Sequence, residues 1–254
     1  PVGGQVFSWH KRLCHLPFPT AETCLRSNKK RSLHDAVIGD VTVGLFRNCQ
    51  QRVMATLYGP LMARYDRFIA PYKEDLFRQV RGRVLEIGPG PGGNLRYLNS
   101  VPTWVGLEPN RYMHRAIRKQ LSSTGNQGEI LERRAENMPY DEDDFDFVIS
   151  TLVLCSVSRP QRVLDEIARV LKPGGRFLFI EHVAAAKGTG LRILQHALAP
   201  GFRICGDGCC PHRETGEWIR RSRFSRVEFQ EFRAPATALP WVISPHIAGF
   251  AEVS

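Results

Sequence analysis

The chain has no apolar run of the roughly 18 or more residues that a membrane-spanning helix needs, so no transmembrane segment is expected. It also lacks the even, regularly spaced cysteines of a disulfide scaffold. Its seven cysteines stand at positions 14, 24, 49, 155, 205, 209 and 210, an odd number that reads as reduced thiols in an intracellular setting. Paired Cys-x-x-Cys knuckles are missing too. Cys205-x-x-x-Cys209-Cys210-Pro-His212 sets two thiols side by side, which seldom chelate one ion, and no metal is expected. There is no internal repeat and no low-complexity tract, and 254 residues that are 43% hydrophobic can bury one substantial core.

Acidic residues are scarce in one place. Over residues 1–34 the single acid Glu22 faces Lys11, Arg12, Arg26, Lys29, Lys30 and Arg31. Such a basic, hydroxyl-containing leader fits either an organelle transit peptide or a solvated tail. The net charge of the whole chain is +10, but the excess is spread out. Arg220, Arg221, Arg223 and Arg226 alternate with Glu214, Glu217, Glu228 and Glu231, and no RNA-binding motif with interleaved aromatics occurs. Nucleic acid is therefore not an expected partner. From 35 to 80 the pattern is helical, with Leu57, Leu61, Tyr65, Phe68 and Ile69 on one stripe and Arg52, Arg64, Arg67 and Lys73 supplying charge. The stripe predicts a helical cap packed on the core. A basic amphipathic helix can equally lie on a lipid surface, which leaves peripheral membrane association open.

What the chain does have is a glycine-rich turn after an apolar strand, Val84-Leu-Glu-Ile-Gly-Pro-Gly-Pro-Gly-Gly93. Gly88, Gly90, Gly92 and Gly93 let the backbone turn tightly against a ligand, and a helix predicted to start near Asn94 would aim its amide-rich end at that ligand. The glycines alone leave the ligand open. Gly88, Gly90 and Gly93 satisfy G-x-G-x-x-G, the dinucleotide fingerprint, while Gly88, Gly90 and Gly92 satisfy the G-x-G-x-G of S-adenosylmethionine (SAM) enzymes.

The segments that follow alternate strand and helix. Thr103–Leu107 reads as a second buried strand ending in Glu108-Pro109-Asn110, where an acid is placed to accept from both ribose hydroxyls or, alternatively, to sit near the start of the helix at Tyr112–Leu121. Ile130–Arg133 reads as a third strand, followed by Ala135-Glu136 in a loop. Phe145–Leu154 is the longest apolar run, as expected of a central parallel strand, behind a solvated acidic turn at Asp141–Asp144. A helix over Pro160–Leu171 stops at Lys172-Pro-Gly-Gly175, and Arg176–Ile180 is the fifth strand. In the tail, Val227–Phe232 alternates and pairs with His246–Ala251. The whole predicts an α/β fold built from parallel β-α-β units that bind ligand at the strands' carboxyl ends.

In this order the glycine loop, Glu108-Pro-Asn, Ala135-Glu136, Phe145-Asp-Phe-Val-Ile-Ser-Thr and Leu171-Lys-Pro-Gly-Gly-Arg resemble a class I SAM-dependent methyltransferase over about residues 80–182. The resemblance narrows with Thr151-Leu-Val-Leu-Cys-Ser-Val157, Glu181-His-Val183, Asp207-Gly-Cys209, Arg213-Glu214, Phe224-Ser225 and Pro245-His-Ile247. These look like the methyltransferase-like seven group, whose animal members are membrane-associated alkyl thiol S-methyltransferases. Their long apolar N-terminal anchor has no counterpart in this sequence.

The resemblance implies a Rossmann-like, seven-stranded, mostly parallel sheet with an antiparallel C-terminal edge hairpin, over residues 81–254, and SAM as cofactor. On that reading Glu86, Gly88, Pro89, Gly90, Gly92 and Asn94 hold the methionine half of SAM, and Glu108, Pro109 and Asn110 the ribose. Ala135 and Glu136 meet the adenine edge, and Thr151 and Leu152 wall the methyl donor. His182, Asp207 and His246 are the candidates for a base that helps a thiol acceptor ionise, with His182 best placed. Trp218 and Trp241 could border the acceptor or simply pack. Cys155 follows the fourth strand near the expected methyl group, where a buried free cysteine is the ordinary case. The expected reaction is in-line methyl transfer to a small apolar acceptor, an alkyl thiol ahead of a quinone precursor or other lipid-like carbon, oxygen or nitrogen acceptor. A non-catalytic SAM-fold binding protein is the third reading.

Overall fold

A computed structural model describes residues 33–98, 101 and 103–254, with side chains from residue 48 onward. The basic leader lies outside the described residues as far as residue 32. Arg47–Ser254 form one compact unit. Helix α1 (Leu33–Phe77) realises the predicted helical segment. Its buried face is Tyr65, Ile69, Lys73 and Phe77, whereas Leu57 and Leu61 are 48% and 64% exposed. The expected stripe fails at that end for a geometric reason. A row stepping by four residues drifts about 40° round a helix of 3.6 residues per turn at each step, so positions 57 and 69 face different ways. The same drift carries Lys73 inward, where its ammonium meets Asp66 at 3.1 Å.

Seven strands follow: β1 (Arg83–Ile87), β2 (Thr103–Leu107), β3 (Gly128–Leu131), β4 (Phe145–Thr151), β5 (Leu171–His182), β6 (Arg226–Arg233) and β7 (Pro245–Glu252). They form one sheet in the order β3-β2-β1-β4-β5-β7-β6. Strands β1 to β5 pair in parallel, and β7 inserts antiparallel between β5 and β6. The predicted hairpin therefore exists, with β6 at the edge. Helices α2 (His114–Thr124) and α3 (Pro160–Val170) make crossovers, and α4 (Gly190–Cys205) and α5 (Thr215–Arg220) precede the hairpin. Alternation along β1 splits the core. Leu85 and Ile87 join one buried cluster, and Val84 joins another with Trp104 and Ile149. Glu86 shares the Val84 face, so its carboxylate starts life inside an apolar layer.

Several local expectations change. No α-helix starts at Asn94; a single 3-10 turn, Leu95–Tyr97, stands there. Gly88, Gly90 and Gly92 all have positive φ, and the intervening Pro89 and Pro91 carry no N–H, so helical bonding cannot begin in the loop. The third strand spans Gly128–Leu131 rather than Ile130–Arg133, ended by a turn in which Arg133 N–H donates to Leu131 O. The fifth begins earlier, at Leu171: Phe145 pairs with Leu171 and Phe147 with Arg176, so Lys172–Gly175 bulges out of register. The acidic turn is less solvated than expected, since Asp144 pairs with Arg83 at 3.2 Å. The mixed charges of the tail do pair with one another, Arg220 and Arg221 with Glu217 and Arg226 with Glu228.

Candidate active site

The loop after β1 closes against its neighbours through specific donors. Gly88 N–H donates to Leu107 O at 2.8 Å, with φ +57°. A Cβ there would lie 2.7 Å from a Val153 methyl, so only glycine lets this loop touch the segment after β4. Gly90 N–H donates to Glu108 Oε2 at 2.9 Å, and Asn110 N–H donates to Oε1 at 2.8 Å. Glu108 thus ties the end of β2 to the glycine loop. Burial pushes its carboxyl up to about 7 against these two amides. Each carboxylate oxygen keeps a second lone pair, which is what two ribose hydroxyls require.

Glu86 sits beneath the loop with both oxygens engaged. Asn94 Nδ2 donates to Oε1 at 2.9 Å and the Trp104 indole to Oε2 at 3.0 Å. Burial raises this carboxyl to about 7 as well. Asn94 Nδ2 also reaches Thr151 Oγ1 at 3.1 Å, joining the loop to the end of β4. The buried Asn94 Oδ1 has no partner among the described residues. Pro89 is buried in the turn, and Pro109 leads into Asn110, whose side chain bonds Gln51 O and Tyr112 N–H. Glu108 does not cap α2, whose N-cap, Met113, has no side-chain bond.

Ala135 joins the main core cluster, and Glu136 turns its carboxylate to Ser158 N–H at 2.7 Å. After β4, Leu152 adopts φ +58°, a left-handed conformation that a leucine holds only when its surroundings impose it. The buried carboxylate of Glu181 imposes it. It accepts from Ser150 Oγ at 2.5 Å, Val153 N–H at 3.0 Å and Leu154 N–H at 3.1 Å.

The three base candidates separate. His182 and His246 face each other across the β5–β7 pair, their rings 6.2 Å apart. His246 is packed between Tyr65 and Phe232 and bonds Ser244 O through Nδ1, and burial lowers it to about 4. Asp207 is exposed in the turn after α4, in the left-handed region. His182 Nε2 lies 3.2 Å from the sulfur of Cys209. Cys155 completes a buried group with them, all ligand atoms within 4.8 Å of one another. A hydrogen bond with Cys209, together with burial, holds the Cys155 thiol protonated well beyond its usual range. Trp218 packs on the main core and Trp241 is 54% exposed.

Known proteins are similar to this chain in sequence and in fold. The methyltransferase domain family covers residues 85–179. Human thiol S-methyltransferase TMT1B is 31% identical over 222 residues, 79% of this chain and 88% of the relative. Human thiol S-methyltransferase TMT1A is 34% identical over 201 residues, 74% of this chain and 80% of the relative. The chain belongs to the thiol S-methyltransferase family of class I SAM-dependent methyltransferases. A SAM-dependent methyltransferase structure from Thermotoga maritima, 20% identical, superposes with a TM-score of 0.59 over 81% of this chain and 99% of that chain, which shows the same fold.

SAM is thus the cofactor of this methyltransferase, and its residues fit the group. The glycine loop, the spare lone pairs of Glu108 and the unpartnered Asn94 Oδ1 all lie at the carboxyl ends of β1, β2 and β4, where such folds bind ligands. Two residues that sequence reasoning missed touch this region. The Tyr58 ring of α1 lies 3.8 Å from where a Gly90 Cβ would stand. Trp104 could have been found, because an indole N–H inside a buried strand must find an acceptor and Glu86 is diagonally opposite on the same face. Tyr58 carried no such signal, since its place depends on how α1 lies over the sheet.

Proposed function

We propose that this methyltransferase transfers the SAM methyl group to the sulfur of a small, apolar alkyl thiol. The observation that carries the reading is the apolar cluster beside Leu152, which packs with Tyr65, Ile180, Leu239 and Ala248. The acid next to it is committed: Glu181 holds three donors. A charged acceptor would enter without a counter-ion, whereas a neutral thiol loses little on leaving water. The two human relatives bear the thiol in their names, which supports the same choice.

Bound SAM supplies an electrophilic methyl on a sulfonium. The chain's part is to position, and near-attack geometry can supply ~7–11 kcal/mol of a barrier. In this reading Glu108 accepts from the ribose hydroxyls, Asn94 Oδ1 receives the methionine amine, and Glu86 orients Asn94. Thr151 and Leu152 wall the methyl, and the Ala135–Glu136 segment meets the adenine edge, steadied by Ser158 and Arg162. His182 is the group that handles the acceptor, while Asp207 and His246 stand aside from it. The test is a panel of alkyl thiols, quinols and amines incubated with SAM and pure protein. Methyl thioether and S-adenosylhomocysteine should form in equal amounts from the thiols. Product from quinols or amines and none from thiols would overturn the proposal.

A further inference from the structure

Cys155, His182 and Cys209 come from three separate segments: the loop after β4, the end of β5 and the turn after α4. All three are buried, and theirs is the group of this kind that forms among the described residues. Two sulfurs and an imidazole nitrogen are the donor set that zinc prefers, and three protein ligands are the number that leaves a fourth position open. One further observation favours an ion. Cys210 N–H donates to Cys155 O at 2.9 Å and clamps the two cysteine segments together, in a turn where Asp207 and Gly208 both have positive φ. His182 presents Nε2 to this group, 3.2 Å from the Cys209 sulfur.

We propose that Cys155, His182 and Cys209 bind one zinc ion, and that its open position receives the sulfur of the acceptor. This rests on the thiol reading above, which it deepens. Zinc loading displaces the protons of both cysteine thiols, and acceptor binding displaces the proton of the incoming thiol to solvent. The bound thiolate then forms the new sulfur–methyl bond. The pair of electrons from the broken carbon–sulfur bond stays on the departing cofactor sulfur, and the neutral thioether product, a weaker ligand, leaves the metal. A free thiol of pKa about 8.5 is only slightly ionised at neutral pH, so coordination supplies the nucleophile that the buried site otherwise lacks.

The experiment uses the full chain, stripped with a chelator under reducing conditions and titrated with zinc. One equivalent should bind and protect two thiols from a thiol reagent. Cys155→Ser, Cys209→Ser and His182→Gln should each weaken zinc by more than the roughly 10–100-fold that loss of an outer-shell partner costs. Cys205→Ser, which removes an exposed thiol of the local Cys-rich run, should bind zinc as wild type does. Unchanged SAM affinity by calorimetry certifies that the variants are folded. Cobalt substitution reports the open position, because its visible spectrum should shift when hexanethiol is added. Failure to bind zinc, or protection of no cysteine, overturns the metal site even if thiols are methylated. Zinc binding with a cobalt spectrum indifferent to a thiol that is turned over overturns the acceptor role alone. Absence of thiol turnover despite zinc binding instead overturns the thiol reading.

Discussion

At the scale of single residues, the site is governed by two carboxyls held in apolar surroundings. Glu86 and Glu108 both sit near 7 because burial disfavours their charged forms more than their hydrogen bonds favour them. On the proposed reading, ribose hydroxyls donating to Glu108 would stabilise its ionised form, so SAM binding should release protons and tighten as pH rises through about 7. Calorimetry in buffers of different ionisation enthalpy checks this, and zero proton release would contradict it. Glu108→Ala removes two charge-assisted bonds and the anchor of Gly90, and should weaken SAM by about 100-fold or more. Glycine spacing made the loop legible in the sequence. It did not reveal that Glu86 spends its oxygens on Asn94 and Trp104, because one contact depends on how the loop folds back under itself and the other crosses from β1 to β2.

At the scale of elements, Glu181 is the link between β5 and the loop after β4. One carboxylate holds Ser150, Val153 and Leu154 and thereby the left-handed Leu152. Glu181→Ala leaves three buried donors unpaired, so a loss of about 3–5 kcal/mol of stability is expected, read by urea denaturation. Because the same loop presents Val153 to Gly88, SAM affinity should fall with it, and a variant that keeps both would refute this role. The strands, the hairpin and the helices α2 and α3 were readable from period and punctuation, since each depends on local pattern and turn chemistry. The helix expected at Asn94 was not, because the same glycines and prolines that advertise the loop prevent helical bonding through it. The inward turn of Lys73 was missed for a different reason: it depends on the phase of a long helix against the sheet.

At the scale of the whole molecule, pH acts in two directions. Glu86 and Glu108 are raised above their ordinary 4.5, so their contribution is fully present below that value and is lost as pH rises through about 7. Ionising each in the cofactor-free fold costs roughly 3 kcal/mol more than in the open chain. His246, lowered from 6.5 to about 4, contributes stability above 6.5 that is lost as pH falls toward 4. Two groups against one predict that the cofactor-free protein is more stable near pH 5 than at pH 8, and that SAM stabilises it more at the higher pH. Thermal melts with and without SAM across that range decide it; a cofactor-free midpoint that climbs steadily toward pH 8 would refute the claim. The sequence by itself determined the α/β class, the order of the motifs, the glycine loop and the acid at the end of β2, because these are written in local spacing along single strands and turns. Only the tertiary structure decided which acids are buried, where Tyr58 and Lys73 lie, and that Cys155, His182 and Cys209 meet. Residues 54 positions apart become neighbours only when parallel strands bring their carboxyl ends to one edge of the sheet.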